Sequence, residues 1–330
     1  MIHVAVAGAG QWGRNHVRTL ASMRGVHLAW VVDPDPARLE AAAALAPRAQ
    51  LTSDLDEALA DPKVTALVVA SPGPTHHVVA RAAIAAGKHV LVEKPLTTCV
   101  DTSRDLVRRA KRAGVLLGVG HLLVHHPAVR ALKRATEAAS FGDIRYIHCQ
   151  RTNLGRIRSD EGALAGLLPH DLSVMAHLLG RWPVAVQAVG ARHVQPSVED
   201  VVFVGLRFPG GVLGQVHLSW LEPLKNRRIS VVGAGAMAVF DDMQPTAKLE
   251  IISAKIPPPA RGPMKAPVVR YPSIPDREPL REELAAFFSA VRSGKPFAAP
   301  GEDGIRVAKV LEAAQQSLDE GGREIRLRIR

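Results

Sequence analysis

The sequence predicts an α/β fold in two domains: a doubly wound parallel sheet over residues 1–121, then an α+β domain with a large, mostly antiparallel open sheet over 122–330. Three observations support this prediction. Up to about residue 120, short apolar strands alternate with helical segments, which is the order of a parallel sheet with crossover helices. From about residue 143 the strands are longer and joined by hairpins. A chain of 330 residues also exceeds one average domain.

The first domain begins with a β-branched strand that runs into three glycines, and a helix starts near Gln11. Apolar runs and helix breakers then predict strands over 27–32, 66–70, 89–92 and 115–119, and helices over 36–45, 77–86 and 102–113. Gly87 ends the helix over 77–86, because glycine accepts the left-handed conformation that closes many helices. In such a sheet, ligands bind at the carboxyl ends of the strands.

The second domain is predicted from longer extended segments, over 144–150, 184–190, 201–208, 212–220, 228–232, 236–240 and 249–253. Pro209-Gly210-Gly211 supplies a hairpin turn between two of them. A helix is expected over 170–179, with Pro169 in its first turn. Residues 256–279 are rich in proline and are not expected to form regular structure, whereas 280–293 and 303–318 are expected to be helical.

Gly8, Gly10 and Gly13 have the spacing of a dinucleotide-binding turn between a strand and a helix. Gly8 permits the tight turn, Gly10 removes a Cβ that would block a pyrophosphate, and Gly13 lets the helix pack closely on the strand. Asp33 follows the second strand, where a carboxylate accepts hydrogen bonds from both ribose hydroxyls and repels a 2′-phosphate. These residues predict a Rossmann domain that binds NAD. A tight turn in another α/β protein is the alternative.

The loops after the later strands supply further candidate cofactor contacts, because they open at the same edge of the sheet. Capping of the following helix is the alternative for Thr75 and His76. A structural contact with a carbonyl or with Glu93 is the alternative for Lys94. Together with Gln11 and Trp12 at the glycine turn, the candidate set is Ser71, Pro72, Thr75, His76, Glu93, Lys94 and Pro95.

Glu93-Lys94-Pro95 after the fourth predicted strand and the segment from Ser71 to His76, joined to this domain order, resemble the Gfo/Idh/MocA oxidoreductases over nearly the whole chain. Other stretches resemble the branch that acts on nucleotide-linked sugars, the UDP-N-acetylglucosamine and UDP-N-acetylglucosaminuronate 3-dehydrogenases. They are Trp12-Gly13-Arg14-Asn15, Gly120-His121 through His126-Pro127, Pro169-His170-Asp171-Leu172-Ser173, Ser219-Trp220, Asp241-Asp242 and Glu278-Pro279-Leu280. The resemblance implies a homodimer or homotetramer that associates through the open face of the C-terminal sheet.

The chain departs from the wider family at two positions around its motif histidine. The family carries an aspartate four residues before that histidine and another three residues after it, where this sequence has Gly166 and Ser173. Asp171 follows directly, as in the Pro-His-Asp form of the sugar-nucleotide branch. If the first aspartate is indispensable, the chain is catalytically impaired or uses another proton acceptor.

Lys94, His170 and Asp171 are the candidate catalytic residues. Oxidation of an alcohol by NAD needs a base for the hydroxyl proton, and histidine titrates near neutral pH. Lysine needs its pKa lowered by burial or by a neighbouring cation before it can serve as that base. We assign His170 as the acid/base and Lys94 as its partner at the reacting oxygen, with the reversed roles left open. For Asp171, stabilisation of a helix N-terminus is the alternative.

An anionic substrate needs cations and hydrogen-bond donors from the second domain. Arginine binds phosphate or carboxylate with a bidentate fork, which favours Arg156 and Arg158 in the loop after the first strand of that domain. A solvated loop is the alternative, and it applies equally to the basic group Lys225, Arg227 and Arg228. The candidate substrate contacts are His121, Asn153, Arg156, Arg158 and Trp220.

Composition limits the classes of partner. The formal net charge of +11 is consistent with an anionic substrate or with a solvated basic surface, and the absence of nucleic-acid motifs argues against nucleic-acid binding. No apolar run is long enough for a membrane span. Two distant cysteines and no signal peptide favour a reducing cytoplasm. His121, His125 and His126 lack an interleaved carboxylate, so no metal is predicted.

The sequence therefore predicts an NAD-dependent dehydrogenase that oxidises a ring hydroxyl, most simply the 3-hydroxyl, of a nucleotide-linked N-acetylated sugar. Two alternatives stay open. One is a dehydrogenase of free sugars or inositols with the same Glu93-Lys94-Pro95 site. The other is a non-catalytic NAD(H)-binding regulator, which Gly166 and Ser173 would explain.

Overall fold

The computed structural model describes residues 1–155, 161–253 and 266–329. Contacts divide the chain into two compact units, Met1–His125 with Arg277–Ala308, and His126–Asp276 with Lys309–Arg330. This division differs from the predicted boundary at residue 121 because a C-terminal segment rejoins the first unit. The helix over Pro279–Ser293 places Leu284, Phe287 and Phe288 in the apolar core of that unit.

The first unit is built around a parallel sheet whose strands follow the predicted order. Its elements are β1 (Ile2–Ala7), α1 (Gln11–Ala21), β2 (Val26–Val32), α2 (Pro36–Leu45), β3 (Gln50–Thr52), α3 (Leu55–Ala60), β4 (Val64–Val69), α4 (His76–Ala85), β5 (His89–Val92), α5 (Val100–Ala113) and β6 (Leu117–Val119). The strand order in the sheet is β3-β2-β1-β4-β5-β6. Strands β1, β4 and β5 are almost wholly buried. The doubly wound sheet is thus confirmed, with the short β3 and α3 in addition.

The second unit carries a nine-stranded sheet. The remaining elements are α6 (Pro127–Glu137), β7 (Ile144–Thr152), α7 (Ala163–Leu179), β8 (Ala185–Ala191), β9 (Val201–Arg207), β10 (Leu213–Ser219), β11 (Asn226–Gly233), β12 (Ala236–Asp241), β13 (Leu249–Ser253), β14 (Val268–Arg270), α8 (Pro279–Ser293), α9 (Gly301–Asp319) and β15 (Ile325–Arg326). The strand order is β14-β13-β12-β11-β7-β10-β9-β8-β15. Among the described pairs only β7 and β10 are parallel, which confirms a mostly antiparallel sheet.

Two element predictions for the second unit were wrong. The helix expected over 170–179 begins at Ala163, so Pro169 lies inside it and not in its first turn. Burial explains the extension, because α7 packs an almost continuous apolar surface against the sheet. The free energy gained by this burial outweighs the loss of the one backbone hydrogen bond that Pro169 cannot donate. The proline-rich segment was expected to lack regular structure, yet 268–270 form the edge strand β14 beside β13.

Candidate active site

The turn between β1 and α1 contains three glycines. Packing within the protein requires a glycine at two of these positions, Gly8 and Gly13, but not at Gly10. Gly8 has a φ of +99°, and a Cβ on it would lie 2.5 Å from the Ser71 nitrogen. A Cβ on Gly13 would lie 1.9 Å from the Gly8 carbonyl oxygen. A Cβ on Gly10 would have no protein atom within 4 Å. Gly10 therefore leaves room for a group from outside the protein, as a pyrophosphate requires.

The N-terminus of α1 opens into a cavity of about 320 Å³ lined by Ala9, Gly10, Gln11, Arg14, Ala37, Arg38 and Ala41. Gly10 caps α1 without a side-chain hydrogen bond, and no acidic residue lies in the first turn. Free amide groups and the positive end of the helix dipole therefore face the cavity. Gln11 is exposed at this helix start, and Trp12 is 43% exposed.

Asp33 lies where the ribose acceptor is expected. Its carboxylate is 2% exposed and accepts hydrogen bonds from the Ala9 nitrogen at 2.7 Å and the Asp35 nitrogen at 3.0 Å. A carboxylate oxygen has more than one lone pair, so each can still accept from a ribose hydroxyl. The Arg38 guanidinium lies 3.8 Å away and is half-exposed. The open space at Gly10, the bare helix N-terminus and this carboxylate together fit NAD.

Ser71, Thr75 and His76 form one hydrogen-bonded group at the end of β4. The Ser71 and Thr75 hydroxyls are 2.7 Å apart, and Thr75 also donates to the Pro72 carbonyl at 2.7 Å. The buried His76 ring lies between two carbonyl oxygens, those of Ser71 and Pro95, each 2.8 Å from a ring nitrogen. His76 thus connects the loop after β4 to the loop after β5.

Glu93 is the centre of the polar group after β5. Its Oε1 lies 2.8 Å from Nε2 of the buried His16 on α1, and its Oε2 accepts from the Lys94 nitrogen at 3.2 Å. Burial opposes ionisation, but the His16 hydrogen bond and charge, with the amide and charge of Lys94, hold the pKa of Glu93 below its usual value. Lys94 is half-buried, and its bond to Pro95 is cis.

His121 lies at the end of β6, close enough to Glu93 and Lys94 for their charges to act on it. Burial lowers the pKa of His121 to about 4, and Lys94 adds to this effect while Glu93 opposes it. The His121 side chain is therefore neutral at pH 7. A neutral imidazole beside Lys94 can donate or accept a hydrogen bond, which suits the predicted substrate contact.

Glu283 on α8 is a second carboxyl in the same unit. It is fully buried, and among the described residues no group hydrogen-bonds to either of its oxygens. Burial raises the pKa of Glu283 well above its usual value, and the negative charge of Glu93 adds to the shift. The two shifts have opposite directions, and they favour the protonated form of Glu283 and the ionised form of Glu93.

In the second unit, His170 and Asp171 lie in the middle of α7. His170 is partly exposed, whereas Asp171 is 1% exposed. Both Asp171 oxygens are bonded to Arg151 on β7, at 2.7 Å from Nε and 2.9 Å from Nη2. Asp171 thus fixes α7 on the sheet and is not placed at the helix N-terminus. Ser173 also bonds within α7, donating to the His170 carbonyl at 2.9 Å.

Gly166 is four residues before His170 on α7, and its missing side chain has a structural reason. A Cβ there would lie 3.2 Å from Cζ2 of the Trp220 ring and 3.6 Å from Cδ and Oε2 of Glu161. A side chain at residue 166 would therefore fit only if the 6%-exposed Trp220 ring moved by a few tenths of an ångström. Trp220 was predicted to contact substrate, and the contact seen within its own unit is packing against α7.

The remaining predicted substrate residues are only partly described. Asn153 follows β7 and donates its backbone amide to the Ser219 carbonyl at 3.0 Å. Arg156 and Arg158 lie outside the described residues. Of the basic group after Trp220, Arg227 lies 3.4 Å from Asp242, and Arg228 and Lys225 are exposed.

Five residues that lie beside the candidate site residues are not among those predicted from the sequence: His16, Arg38, Arg151, Glu161 and Glu283. A helical periodicity signal existed for His16 and Glu283, because each is a polar residue on an otherwise apolar helix face. Arg151 and Glu161 carried no such signal, because their partners are set by tertiary packing.

Over residues 1–155, 161–253 and 266–329, no three His, Cys, Asp or Glu side chains come together as a metal site. None of the helices in this part of the chain has the length and apolarity to span a bilayer. The candidate residues of the first unit are the cofactor turn, Glu93, Lys94 and His121, and those of the second unit are His170, Arg151 and Asp171.

Comparison with known proteins identifies relatives for both halves. A family model described as "Oxidoreductase family, NAD-binding Rossmann fold" matches residues 2–121, and one described as "GFO/IDH/MocA C-terminal domain" matches 129–239. Inositol 2-dehydrogenase 2 of Saccharopolyspora erythraea is 31% identical over 97% of this chain and 94% of its own. UDP-N-acetylglucosamine 3-dehydrogenase of Acidithiobacillus ferrooxidans is 30% identical over 96% of each chain.

Solved structures agree with this similarity. A crystal structure of the Acidithiobacillus ferrooxidans enzyme matches with a TM-score of 0.84 and 26% identity, over 97% of this chain and 98% of the other. The GenD2 protein from gentamicin A biosynthesis, crystallised in complex with NAD, matches with a TM-score of 0.84 and 29% identity, over 99% and 96% of the two chains.

Proposed function

The chain belongs to the Gfo/Idh/MocA family of oxidoreductases, and from that premise we propose that it oxidises a ring hydroxyl, the 3-hydroxyl, of a nucleotide-linked sugar such as UDP-N-acetylglucosamine or its uronate. It is an NAD-dependent dehydrogenase that acts on alcohol groups. The observation that carries the choice of substrate is the full-length similarity to a UDP-N-acetylglucosamine 3-dehydrogenase. The net charge of +11 supports an anionic substrate.

Bound NAD supplies the hydride acceptor, and the chain supplies the proton acceptor and the orientation of the reacting hydroxyl. We assign proton transfer to His170, which is partly exposed on α7 and so open to a substrate. Lys94 donates a hydrogen bond to the reacting oxygen, and the neutral His121 orients a neighbouring hydroxyl. Exchange of the roles of Lys94 and His170 is the alternative within this mechanism.

Glu93 supports this assignment from the first unit. Its charge and its bond to the Lys94 backbone keep a negative group beside the lysine. In our preferred order of roles, Lys94 polarises the reacting oxygen beside this carboxylate and His170 takes the proton.

A free sugar or inositol is the second candidate substrate. Inositol 2-dehydrogenases occur among the relatives at similar identity and coverage, and one matches 46% of this chain at 42% identity. Such a substrate carries no phosphate and would not need the basic residues of the second unit. The third alternative, a non-catalytic regulator, loses its support because full-length relatives include two dehydrogenases at 30–31% identity.

The test is a substrate panel with NAD: UDP-N-acetylglucosamine, UDP-N-acetylglucosaminuronate, UDP-glucose, UDP alone and myo-inositol. We expect NADH to form only with an N-acetylated UDP-sugar, and UDP to act as a competitive inhibitor. Lys94→Ala and His170→Ala should each reduce turnover strongly with unchanged NAD affinity, while the exposed Lys111→Ala serves as control. Turnover of myo-inositol that UDP does not inhibit would establish the second candidate.

We also propose that the protein is a homodimer or homotetramer that associates through the open face of the second unit's sheet. Tyr146, Val189, Phe203 and Leu213 lie on its strands and are each 43–49% exposed. This apolar group on one sheet face is typical of an interface. A Phe203→Lys variant should have a lower molar mass than the wild type when it is measured by light scattering after chromatography. In the part of the chain that the structure describes, Cys99 and Cys149 form no disulfide, which is in keeping with our proposal of a reducing cytoplasm.

A further inference from the structure

The backbone of Lys94 lies between two residues that each contact a buried histidine. Glu93 precedes Lys94, and its Oε1 lies 2.8 Å from Nε2 of His16 on α1. Pro95 follows Lys94, and its carbonyl oxygen lies 2.8 Å from Nδ1 of His76 on α4. Both histidines are 1% exposed. Two helices of the first unit therefore hold the loop after β5, one on each side of Lys94.

The bond from His16 reaches the Lys94 backbone through the Glu93 carboxylate. Since the pKa of Glu93 lies below its usual value, the carboxylate is ionised at neutral pH and only accepts hydrogen bonds, so His16 Nε2 is the donor. The second oxygen, Oε2, accepts from the Lys94 amide at 3.2 Å. A Cβ on Gly120 would lie 3.1 Å from that oxygen, so the glycine leaves the carboxylate its place beside the Lys94 amide.

His76 has both ring nitrogens engaged by the protein. Nε2 lies 2.8 Å from the Ser71 carbonyl oxygen, and Nδ1 lies at the same distance from the Pro95 carbonyl oxygen. A buried ring with both nitrogens at protein carbonyls offers neither of them to a cofactor. The geometry therefore favours a role in holding the loops after β4 and β5 over the cofactor contact that the sequence predicts.

The other ionisable groups around Glu93 do not replace His16 as a donor. The charge of Lys94 helps to lower the pKa of Glu93, while His121 at the end of β6 and Glu283 on α8 respond to the Glu93 charge. Among the residues that the structure describes, only His16 and the Lys94 amide donate hydrogen bonds to this carboxylate. Loss of the histidine would leave a carboxylate that is 15% exposed with a single donor.

We propose that His16 and His76 are positioning residues for Lys94: His16 fixes its amide through Glu93, and His76 fixes the carbonyl of the residue that follows it. A lysine side chain is long and flexible, so the position of its backbone limits where the ammonium can reach. A displacement of about 1 Å at a reacting group can lower a rate about 10²-fold. The proposal rests on the role given to Lys94 above.

The first test measures the Lys94 amide itself, by hydrogen exchange of the ¹⁵N-labelled protein with NAD bound and no substrate. We expect this amide to exchange about tenfold faster in His16→Leu and in His76→Leu, because each change releases one side of the loop. His16→Gln keeps an N–H donor and should stay close to the wild-type rate. His27→Leu, a half-buried histidine at the start of β2, is the matched control and should leave the rate unchanged.

The pattern of exchange separates positioning from general stability. Faster exchange confined to the loop after β5 is the expected result. Faster exchange throughout the first unit would mean that the histidines only stabilise the fold, and it would overturn the proposal. An unchanged Lys94 rate in a folded, NAD-binding variant would remove the histidine that was replaced.

The second test follows the carboxyl carbon of Glu93 by ¹³C NMR, with the signal assigned by Glu93→Gln. His16→Leu removes a hydrogen bond and a charge that lower the pKa of Glu93, while burial continues to raise it. We expect the titration midpoint to rise by about one pH unit in His16→Leu and by much less in His16→Gln. His76→Leu does not contact the carboxylate and should leave the midpoint unchanged. An unchanged midpoint in folded His16→Leu would contradict the role of His16.

The third test uses turnover of UDP-N-acetylglucosamine with NAD. His16→Leu and His76→Leu should each reduce kcat about tenfold, or ~1.4 kcal/mol, at a constant KM for NAD. His16→Leu should also move the acidic limb of the pH profile to higher pH, because Glu93 takes up its proton at higher pH, and His16→Gln should recover most of both effects.

The exchange and turnover results together distinguish failure of this proposal from failure of the proposed function. Faster exchange at Lys94 with an undiminished kcat would overturn the positioning role. Faster exchange at Lys94 in the variants, with no turnover of any UDP-sugar by the wild type, would refute the proposed substrate and leave the positioning of Lys94 intact.

Discussion

Arg151 and Asp171 form a buried bidentate ion pair, with arginine Nε and Nη2 at 2.7 and 2.9 Å from the two aspartate oxygens. Burial disfavours a charged arginine, but the charge and hydrogen bonds of Asp171 raise the pKa of Arg151 above its usual value. Asp171 is next to His170, so the pair fixes the helix position from which His170 is presented. We therefore propose that Asp171 serves the reaction by orientation.

Breaking this pair on one side should be more harmful than removing both charges. Arg151→Met leaves a buried carboxylate without its partner, and we expect a loss of about 3–5 kcal/mol in the free energy of unfolding. The double variant Arg151→Met/Asp171→Leu should lose much less, because two apolar side chains replace two desolvated charges. Urea unfolding of both variants measures the difference. Equal losses in the two variants would show that the charges do not act as a pair.

The glycine turn allows a comparison of two alanine substitutions. Gly10→Ala should keep the stability of the protein, because a Cβ there meets no protein atom and a φ of −67° suits any residue. The same Cβ enters the space for the pyrophosphate, so NAD affinity should fall at least about tenfold. Gly13→Ala should instead destabilise the fold, by about 1–3 kcal/mol or more, since its Cβ would lie 1.9 Å from the Gly8 carbonyl. Thermal unfolding and NAD titration separate the two effects, and equal stability losses would contradict this difference.

The parts of the fold that the sequence predicts best have local causes. The turn at Gly8 and Gly13 and the buried strands that surround it follow from backbone freedom and apolar runs, which are visible in the sequence. The start of α7 at Ala163 was missed because Pro169 indicates a helix start locally, while the helix is extended by burial against the sheet. The strand β14 was missed for a similar reason, since its pairing with β13 is not local.

The candidate site divides in the same way. Asp33, Lys94 and His121 follow strand ends, and the topology of a parallel sheet brings such residues to one edge. Glutamate usually lies on the surface, so the sequence does not predict where Glu161 and Glu283 lie. Only the packing shows that Glu161 borders Gly166 and that Glu283 is fully buried. A sequence pattern does not contain that information, because it depends on which distant element covers each side chain.

Asp33 and Arg38 together should determine the choice between NAD and NADP. Asp33→Asn keeps an acceptor for a backbone amide but removes the charge that repels a 2′-phosphate. Arg38, whose guanidinium lies 3.8 Å from the Asp33 carboxylate, then attracts that phosphate. We expect about a tenfold weaker binding of NAD and about a tenfold tighter binding of NADP. Adding Arg38→Ala should remove the gain for NADP. Calorimetric titration of both cofactors tests this, and an unchanged preference in Asp33→Asn would place the ribose elsewhere.

Glu283 should make the stability of the protein fall as the pH rises. Burial and the nearby Glu93 raise the pKa of Glu283 well above its usual value of 4.5, so the folded protein holds a proton that the unfolded chain releases. Its contribution is complete below the unfolded pKa and is lost as the pH rises toward the folded pKa, by up to about 1.4 kcal/mol per pH unit. Glu283→Gln keeps the shape and cannot ionise. We therefore expect the variant to unfold at the same urea concentration as the wild type near pH 4 and at progressively higher concentrations than the wild type between about pH 5 and 8. Glu282→Gln, on the partly exposed side of the same helix, is the matched control. A constant difference between Glu283→Gln and the wild type across this range would mean that Glu283 is already ionised in the folded protein.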